Sequence, residues 1–177
     1  IRRTTSPGFA GPFGVFVRSY AYMRAHGADL RAMSETAVLN ANYVLAGLRD
    51  DYDLAYDRLC MHEFVLSART LKKEYGITAL DIAKRLMDYG VHPPTIYFPL
   101  VVPEALMIEP TETEPKERLD AFIAVMKTIA REAAEDPELL KGAPHSRPVR
   151  RLDEVKAAKE PIVKHAFGER QRAEAEV

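Results

Sequence analysis

The sequence is short of cysteine and of net charge. Its single cysteine, Cys60, cannot form an internal disulfide and is one thiol short of a two-cysteine metal motif, which favours a reducing, intracellular compartment. The 25 Lys and Arg residues nearly balance 26 Asp and Glu residues, so no overall field attracts the chain to phosphate backbones or anionic lipid. The sequence therefore predicts no nucleic-acid partner.

Long apolar runs are also missing. Residues 100–107 are interrupted by Pro103 and Glu104, so the sequence predicts no membrane-spanning helix. Residues 1–13 lack the charged head, apolar stretch and cleavage site of a secretory signal. Because the chain opens without Met on an abrupt Gly-Pro loop, we expect that upstream sequence has been removed. A chain of 177 residues that is 47% hydrophobic can still bury the core of one globular domain.

Three helices are predicted from periodicity and capping signals. Apolar residues recur at three- and four-residue steps over residues 29–48, the pattern of an amphipathic helix. Thr78 can cap a second helix, which Gly90 can end in the left-handed conformation. Pro115 suits the first position of a third helix, whose apolar stripe covers residues 119–133.

Three short strands are predicted between these helices. Phe and Val favour a strand within residues 59–67, and two prolines force an extended chain into residues 95–102. Residues 105–109 follow a Pro-Glu turn, so the last two strands are predicted to form a hairpin. The predicted fold class is α/β, as an α+β small domain in which helices cover one face of a mixed or antiparallel sheet.

Nucleotide and metal patterns are not supported. Three glycines within residues 8–14 lack the dinucleotide spacing and the Lys-Ser/Thr of a phosphate loop, which favours a simple turn. The acidic residues of segment 51–57 lack the glycine and glutamate of a calcium loop and indicate a solvated connection. The five histidines show no spacing typical of zinc, so no metal site is predicted.

Two positions next to each other on the first predicted strand carry ionisable side chains. His62 and Glu63 would point to opposite faces of that strand and could not act as one acid–base pair. His62 is either a proton carrier or carboxylate binder in a cleft, or a hydrogen-bonded structural histidine. Beside it, Cys60 is interpreted as an inert thiol, because no activating base lies near it in sequence.

A second candidate is the turn that contains His92 and Thr95. Pro93 and Pro94 lock its backbone, so the turn either presents the two polar side chains to a substrate or only fixes the approach to a strand. Residues 109–112 are interpreted as a helix-entrance turn whose carboxylates complement the helix dipole.

Five segments together resemble a known family, the P-protein of the glycine cleavage system, or glycine dehydrogenase (decarboxylating). The likeness extends over residues 11–161 in the family's order and spacing, and it points to the second subunit of two-subunit bacterial forms. The five segments are SETAVLNANY at 34–43, HEFV at 62–65, DIAKRLMDYG at 81–90, HPPTIYFP at 92–99 and MIEPTE at 107–112.

The resemblance implies the carboxyl-terminal region of a fold-type-I enzyme that depends on pyridoxal phosphate. It implies a β-α-β-β-α unit preceded by a long helix. The implied domains are a remnant of the large cofactor-binding domain at 1–28, a connecting helix at 29–50, a small carboxyl-terminal domain at 51–136 and an extended tail at 137–177.

The resemblance also implies the reaction and its participants. The complete enzyme releases carbon dioxide from glycine and passes the aminomethyl group to the lipoyl arm of the H-protein, with pyridoxal phosphate supplying the chemistry. The implied partners are the rest of the P-protein or its other subunit, glycine and the H-protein, within an oligomer. The implied compartment is the cytoplasm for a bacterial form and the mitochondrion for a eukaryotic one.

The site residues follow from the same resemblance. The family's cofactor lysine lies upstream, in a His-Lys segment that this chain does not contain, so the chain alone is expected to be inactive and to hold no catalytic residue. His92 and Thr95 match the His-Pro-Pro-Thr turn and are expected to approach the substrate channel. His62 and Glu63 are further substrate-binding candidates, and the residues that bind the cofactor are not assigned.

Two other functions fit the predicted elements. The unit could be a noncatalytic ligand-binding or regulatory domain, in which case the isolated chain binds a ligand. It could also be an interaction domain whose long helix and tail dock against missing subunits, in which case the isolated chain exposes apolar surface.

Overall fold

A four-stranded antiparallel sheet organises the structure, a computed structural model that describes residues 11–163. Its spatial order is β1-β2-β4-β3, and Phe64 of β2 lies opposite Ile108 of β4. Together with the helices it makes an α+β unit, as predicted. The strands are β1 (Asp53–Leu54), β2 (Phe64–Ser67), β3 (Thr95–Ile96) and β4 (Ala105–Ile108).

Helices make up most of the rest of the described chain. A 3₁₀ turn, Gly27–Asp29, separates the first two. Within residues 11–163, no helix combines the length and apolar character that crossing a membrane requires. The helices are α1 (Phe13–His26), α2 (Leu30–Leu48), α3 (Arg69–Tyr75), α4 (Ala79–Asp88), α5 (Lys116–Glu135), α6 (Pro137–Lys141) and α7 (Glu154–Lys159).

One face of the two central strands builds the core with the helices. Leu66 and Leu106 are fully buried, with Phe64 and Ile108 nearly so, and these four residues share one face because side chains alternate along a strand. They belong to one apolar cluster with residues of α2, α4 and α5. Burial of each such side chain contributes about 1.5–3 kcal/mol, so this contact is the main source of stability.

The three helices predicted from sequence are confirmed as α2, α4 and α5. Thr78 and Asp81 form a reciprocal capping box at the start of α4, and Gly90 follows that helix with a φ of 75°. Pro115 differs slightly from its prediction, since it precedes α5 as the N-cap residue instead of taking the first helical position. The boundaries of these helices are thus set by residues at or next to the helix ends.

A polar cluster fastens the chain after α6 to α4 and α5. The guanidinium of Arg85 donates two 2.9 Å hydrogen bonds to the carboxylate of Glu132, which lower the pKa of Glu132. Burial alone would raise the pKa of Asp88, but hydrogen bonds from Ser146 and His145, together with Arg85, outweigh it and lower the pKa. The ionised carboxylates therefore hold three parts of the chain together.

The first predicted strand is wrong over its first half. Strand β2 begins at Phe64, and residues 59–63 form a bent segment before it. The side-chain amide of Asn42 explains the difference, because it accepts the Cys60 N–H at 3.0 Å and donates to the Cys60 carbonyl at 2.8 Å. Those backbone groups are unavailable to a sheet ladder. His62 and Glu63 consequently precede the strand and are not neighbours on it.

The predicted hairpin is confirmed, but its first strand is short. Strand β3 contains only two residues of the predicted 95–102 segment and pairs antiparallel with β4. Tyr97 then takes a φ of 59°, a left-handed conformation that ends the extended chain. The loop that follows exposes apolar side chains, with Leu100 at 87% and Val101 at 80%.

Several short elements were not predicted. Strand β1 lies in segment 51–57, which was interpreted as a solvated connection, and it pairs antiparallel with β2. Helix α3 was missed, and α6 and α7 lie in the segment predicted to be an extended tail.

Of the glycines predicted to form a turn, Gly11 has a φ of 102°, Gly14 lies in α1 and Gly8 is outside the described residues.

The contact between α2 and α5 generates the first prediction, because a Cβ added at Gly47 would lie 2.8 Å from Ile123 Cδ1 and 3.2 Å from both its γ carbons. Gly47→Ala is expected to lower the free energy of unfolding by about 1 kcal/mol, since overpacking exceeds the gain in helix propensity. Chemical denaturation measures it, and Ile123→Val should recover part of the loss by removing Cδ1.

Gly14→Ala is the matched control, because a Cβ at Gly14 meets no atom within 4 Å. That variant should keep or raise the free energy of unfolding. A Gly47→Ala chain as stable as the original would contradict the close packing of the two helices.

Candidate functional site

One end of the sheet gathers the residues singled out in the sequence. Because β2 and β4 run antiparallel with Phe64 opposite Ile108, the segment before β2 and the segment after β4 lie at the same end. Thr95 lies opposite Met107, so the turn before β3 reaches that end too. The topology therefore brings three separate stretches of sequence together.

The first cavity at this end has a volume of about 480 Å³. Its polar side chains are the imidazole of His62, the carboxylates of Glu109 and Glu112, the phenol of Tyr22 and the hydroxyls of Ser34 and Thr111. Its remaining wall is largely apolar and comes from α2, with Met61 at the rim. A cavity with two carboxylates and one imidazole favours a cationic or hydrogen-bond-donating group.

The second cavity is larger, about 760 Å³, and lies between the turn before β3, strand β4 and the start of α5. His92 and Thr95 line it, and Arg118 contributes a guanidinium. Glu114 and Glu109 supply carboxylates of the opposite sign, and the remainder is mainly apolar. Charges of both signs in one cavity suit a small zwitterion.

The two cavities share a wall, formed by Glu109 and Pro110. The position of this wall depends on Asn40 of α2, whose side chain is nearly buried. Its Nδ2 group donates to the Thr111 carbonyl at 2.9 Å and to the Glu114 carbonyl at 3.2 Å. Both amide hydrogens are used, so one side chain ties the long helix to the segment between β4 and α5.

Helix α1 reaches the first cavity through Tyr22. The Tyr22 hydroxyl donates a 2.9 Å hydrogen bond to Glu112, and this bond to an ionised carboxylate raises the pKa of the phenol. Residues 109–112 were interpreted as a helix-entrance turn whose carboxylates serve the dipole of the next helix. That interpretation is wrong for Glu112, since α5 starts at Lys116 and the acidic residue of its first turn is Glu117.

The four predicted site residues separate into different surroundings. His92 and Thr95 line the second cavity together, whereas His62 lines the first. Glu63 is half-buried and lines neither of these two cavities. The structure therefore brings His92 and Thr95 together and keeps His62 and Glu63 apart, as expected for two residues that were not predicted to act as one acid–base pair.

Sequence reasoning missed Arg118 and Asn40 and interpreted Glu109 only as part of a helix-entrance turn. Glu109 lines the second cavity from the start of the segment that joins β4 to α5, and Arg118 lines it from the first turn of α5. The MIEPTE segment was among those that carried the family resemblance, but only its carboxylates were interpreted. The signal for Asn40 was an amide on the otherwise apolar face of a predicted helix, a position that calls for a buried hydrogen-bond partner.

The described residues do not form a complete pyridoxal phosphate site. Such a site needs a lysine amine near the cofactor's aldehyde and donors for its phosphate, and neither cavity is lined by a lysine of the described residues. Lys72, for example, pairs with Glu104, beyond the other end of β4. The carboxylates of the first cavity would also repel a phosphate. Among residues 11–163, no group of three metal-ligating side chains comes together.

The shared wall generates the second prediction. Asn40→Asp replaces a donor with an anionic oxygen facing two carbonyls, so the free energy of unfolding at pH 7 should fall by about 3 kcal/mol. Because burial raises the pKa of a carboxyl, the deficit should narrow as the pH falls toward about 4.5 and the introduced carboxylate binds a proton. Denaturation at both pH values measures this.

Asn40→Ala is the matched control, since it removes the donor without adding a charge. Its deficit relative to the original chain should not change with pH. An Asn40→Asp deficit that is absent, or equal at both pH values, would contradict the role given to the amide.

Comparison with known proteins agrees with the resemblance seen in the motifs. Residues 33–145 match the family described as "Glycine dehydrogenase, C-terminal domain". The chain is 59% identical over 158 residues to a protein of Bacillus velezensis named "Probable glycine dehydrogenase (decarboxylating) subunit 2", covering 89% of this chain and 32% of that relative. Proteins of the same name from Staphylococcus haemolyticus and Listeria innocua are 57% and 55% identical, over 88% and 89% of the chain and 32% of each relative.

The chain thus spans about a third of the length of the curated relatives it matches. The family match covers the sheet, α2 to α6 and both cavities, apart from Tyr22 and Leu30. The chain belongs to the glycine dehydrogenase family, and residues 33–145 correspond to its carboxyl-terminal domain.

Proposed function

We propose that this chain is the carboxyl-terminal portion of a pyridoxal-phosphate-dependent glycine decarboxylase, the P-protein of the glycine cleavage system. The complete enzyme would release carbon dioxide from glycine and pass the aminomethyl group to the lipoyl arm of the H-protein. The observation that carries the proposal is 59% identity, over 89% of the chain, to a protein named probable glycine dehydrogenase (decarboxylating) subunit 2.

Within that enzyme the role of this chain would be to bind and orient the substrate. Glycine is a zwitterion, and the second cavity offers groups of both signs to its two ends. His92, Thr95 and Arg118 supply donors for a carboxylate, whereas Glu109 supplies an acceptor for an ammonium group.

The cofactor would be held elsewhere in the complete protein. The absence of a lysine among the described residues that line the two cavities supports this proposal. The 177-residue chain alone is therefore proposed to be inactive. His62, which lines the first cavity, and Glu63, which lines neither of the two, are proposed to act less directly than His92.

The proposed domain boundaries follow the connectivity of the elements. Residues 1–28 would belong to the large domain, and the connecting helix at 29–50 corresponds to α2. Residues 51–136 would be the small domain, with a tail from 137 that carries α6 and α7. The lack of any buried residue in α1 supports its assignment to the other domain.

The proposed partners are those of the glycine cleavage system. The relatives' designation as subunit 2 supports another subunit, and an oligomer with the H-protein as a transient partner is proposed. The cytoplasm is proposed for a bacterial form. A noncatalytic subunit-interaction domain is the second candidate, favoured by the exposed apolar side chains of α1.

The decisive variant is His92→Ala in the complete protein, assayed by glycine-dependent release of carbon dioxide. If His92 contacts the substrate, kcat/KM for glycine should fall about tenfold or more, because one lost contact of about 1.4 kcal/mol corresponds to a factor of ten. His92→Gln, which keeps a donor, should retain part of the activity.

His145→Ala is the matched control. The ring of His145 contacts the Leu139 carbonyl at 2.8 Å and lines neither of the two cavities, so its loss should leave kcat/KM of the folded enzyme unchanged. Unchanged glycine affinity and decarboxylation rate in His92→Ala would refute the assignment. A complete protein that shows no glycine decarboxylation together with its other subunit and the H-protein would favour the noncatalytic candidate.

A further inference from the structure

The segment that joins β4 to α5, residues 109–114, takes part in both cavities. Glu109 and Glu114, near its two ends, line the second cavity, whereas Glu112 lines only the first of the two. The Tyr22 hydroxyl of α1 donates a 2.9 Å hydrogen bond to the Glu112 carboxylate. A side chain that does not line the second cavity is therefore bonded to the segment that forms part of its wall.

Internal hydrogen bonds make this segment stiff. The Glu114 N–H donates to the Thr111 carbonyl at 3.3 Å, and the hydroxyl oxygens of Thr111 and Thr113 are 2.7 Å apart. Pro110 restricts the backbone immediately before this turn. Because Glu112 lies inside the turn, a displacement of Glu112 would be passed on to Glu114 and would not be absorbed by loose chain.

Helix α1 makes few other contacts with the domain. None of its residues is buried, and within residues 11–163 the Tyr22–Glu112 hydrogen bond is the one side-chain hydrogen bond or ion pair between α1 and another element. The Tyr22 ring lies against the ring of His26, with the two centroids 4.6 Å apart, and this contact restricts the direction of the hydroxyl. The position of α1 is therefore transmitted to the segment through one oriented hydroxyl.

We propose that Tyr22 is a positioning residue for glycine binding in the second cavity and that it acts through Glu112. The inference rests on the proposed function, in which that cavity binds glycine. The hydroxyl contacts Glu112, and its contribution is to hold Glu109 and Glu114 in the orientation that the substrate meets. Since α1 is proposed to belong to the large domain, the same hydrogen bond links glycine binding to the placement of the two domains.

Tyr22→Phe in the complete protein, assayed with its other subunit and the H-protein, removes the hydroxyl and keeps the ring. KM for glycine should rise about fivefold, the change expected if the loss of one typical hydrogen bond is passed on to the cavity, while kcat stays within about twofold. A hydroxyl that only stabilised the fold would lower the amount of active enzyme, and so kcat, without changing KM. That result would overturn the proposal, and so would unchanged values of both constants.

Variants of Glu112 test whether the effect passes through this hydrogen bond. Glu112→Ala should raise KM to a similar extent, and adding Tyr22→Phe to it should change KM no further. Glu112→Gln keeps an acceptor oxygen for the hydroxyl, so its KM should stay close to the original value. Fully additive effects of Tyr22→Phe and Glu112→Ala would contradict an action through the bond.

Tyr20→Phe is the matched control. Tyr20 lies on the same helix, is 64% exposed and lines neither of the two cavities, so kcat and KM of the complete protein should not change. A rise in KM equal to that of Tyr22→Phe would assign the effect to α1 in general and would overturn the proposal.

Hydrogen exchange distinguishes a failure of this inference from a failure of the proposed function. In the complete protein the Glu114 amide should exchange about fivefold faster in Tyr22→Phe than in Tyr20→Phe, because the turn that contains this amide loses its contact with α1. Faster exchange in a protein that does not decarboxylate glycine would leave the link between α1 and the segment standing and would refute the proposed function. Equal exchange in the two variants would overturn the link itself.

Discussion

The two hydrogen bonds donated by Asn40 hold the region on which the candidate site depends. Through them α2 fixes the Thr111 and Glu114 carbonyls, and so fixes the segment that leaves β4 and enters α5. That segment carries the wall between the two cavities and several of their charged groups. Because the Asn40 side chain is nearly buried, the loss of its hydrogen bonds would leave polar groups without partners and would cost free energy. The amide therefore couples the position of α2 to that of the cavities.

The parts of the fold that sequence could predict are those set by local chemistry. Helix α4 has its capping box and its glycine stop within a few residues, and α5 has an uninterrupted apolar stripe. The limits of the strands depend on residues that are distant in sequence. The Asn42 side chain hydrogen-bonds the Cys60 backbone groups, which therefore cannot pair in the sheet, and no local pattern indicates this. His92 and Thr95 could be paired from sequence because one rigid turn carries both. The separation of His62 and Glu63 was also predicted, but from a strand that begins only at Phe64, after both residues.

The two cavities differ in composition, and each composition suits a different role. The second has both signs of charge and belongs to the carboxyl-terminal unit alone, so it suits recognition of a small zwitterion. The first carries a histidine and carboxylates and takes one wall residue from α1, so it suits a cationic or hydrogen-bond-donating group. Neither is lined by a lysine among the described residues, which supports the proposal that the covalent attachment of pyridoxal phosphate would lie in the rest of the enzyme.

The proposal that pyridoxal phosphate is attached outside this chain is tested most directly by reductive trapping of the cofactor. Pyridoxal phosphate is added to the 177-residue chain and to the complete protein, each is reduced with borohydride, and the modified lysines are mapped by mass spectrometry. Our account predicts one stoichiometric adduct in the complete protein, upstream of this chain, and none in the chain alone. A stoichiometric adduct on a specific lysine of the 177-residue chain would contradict it.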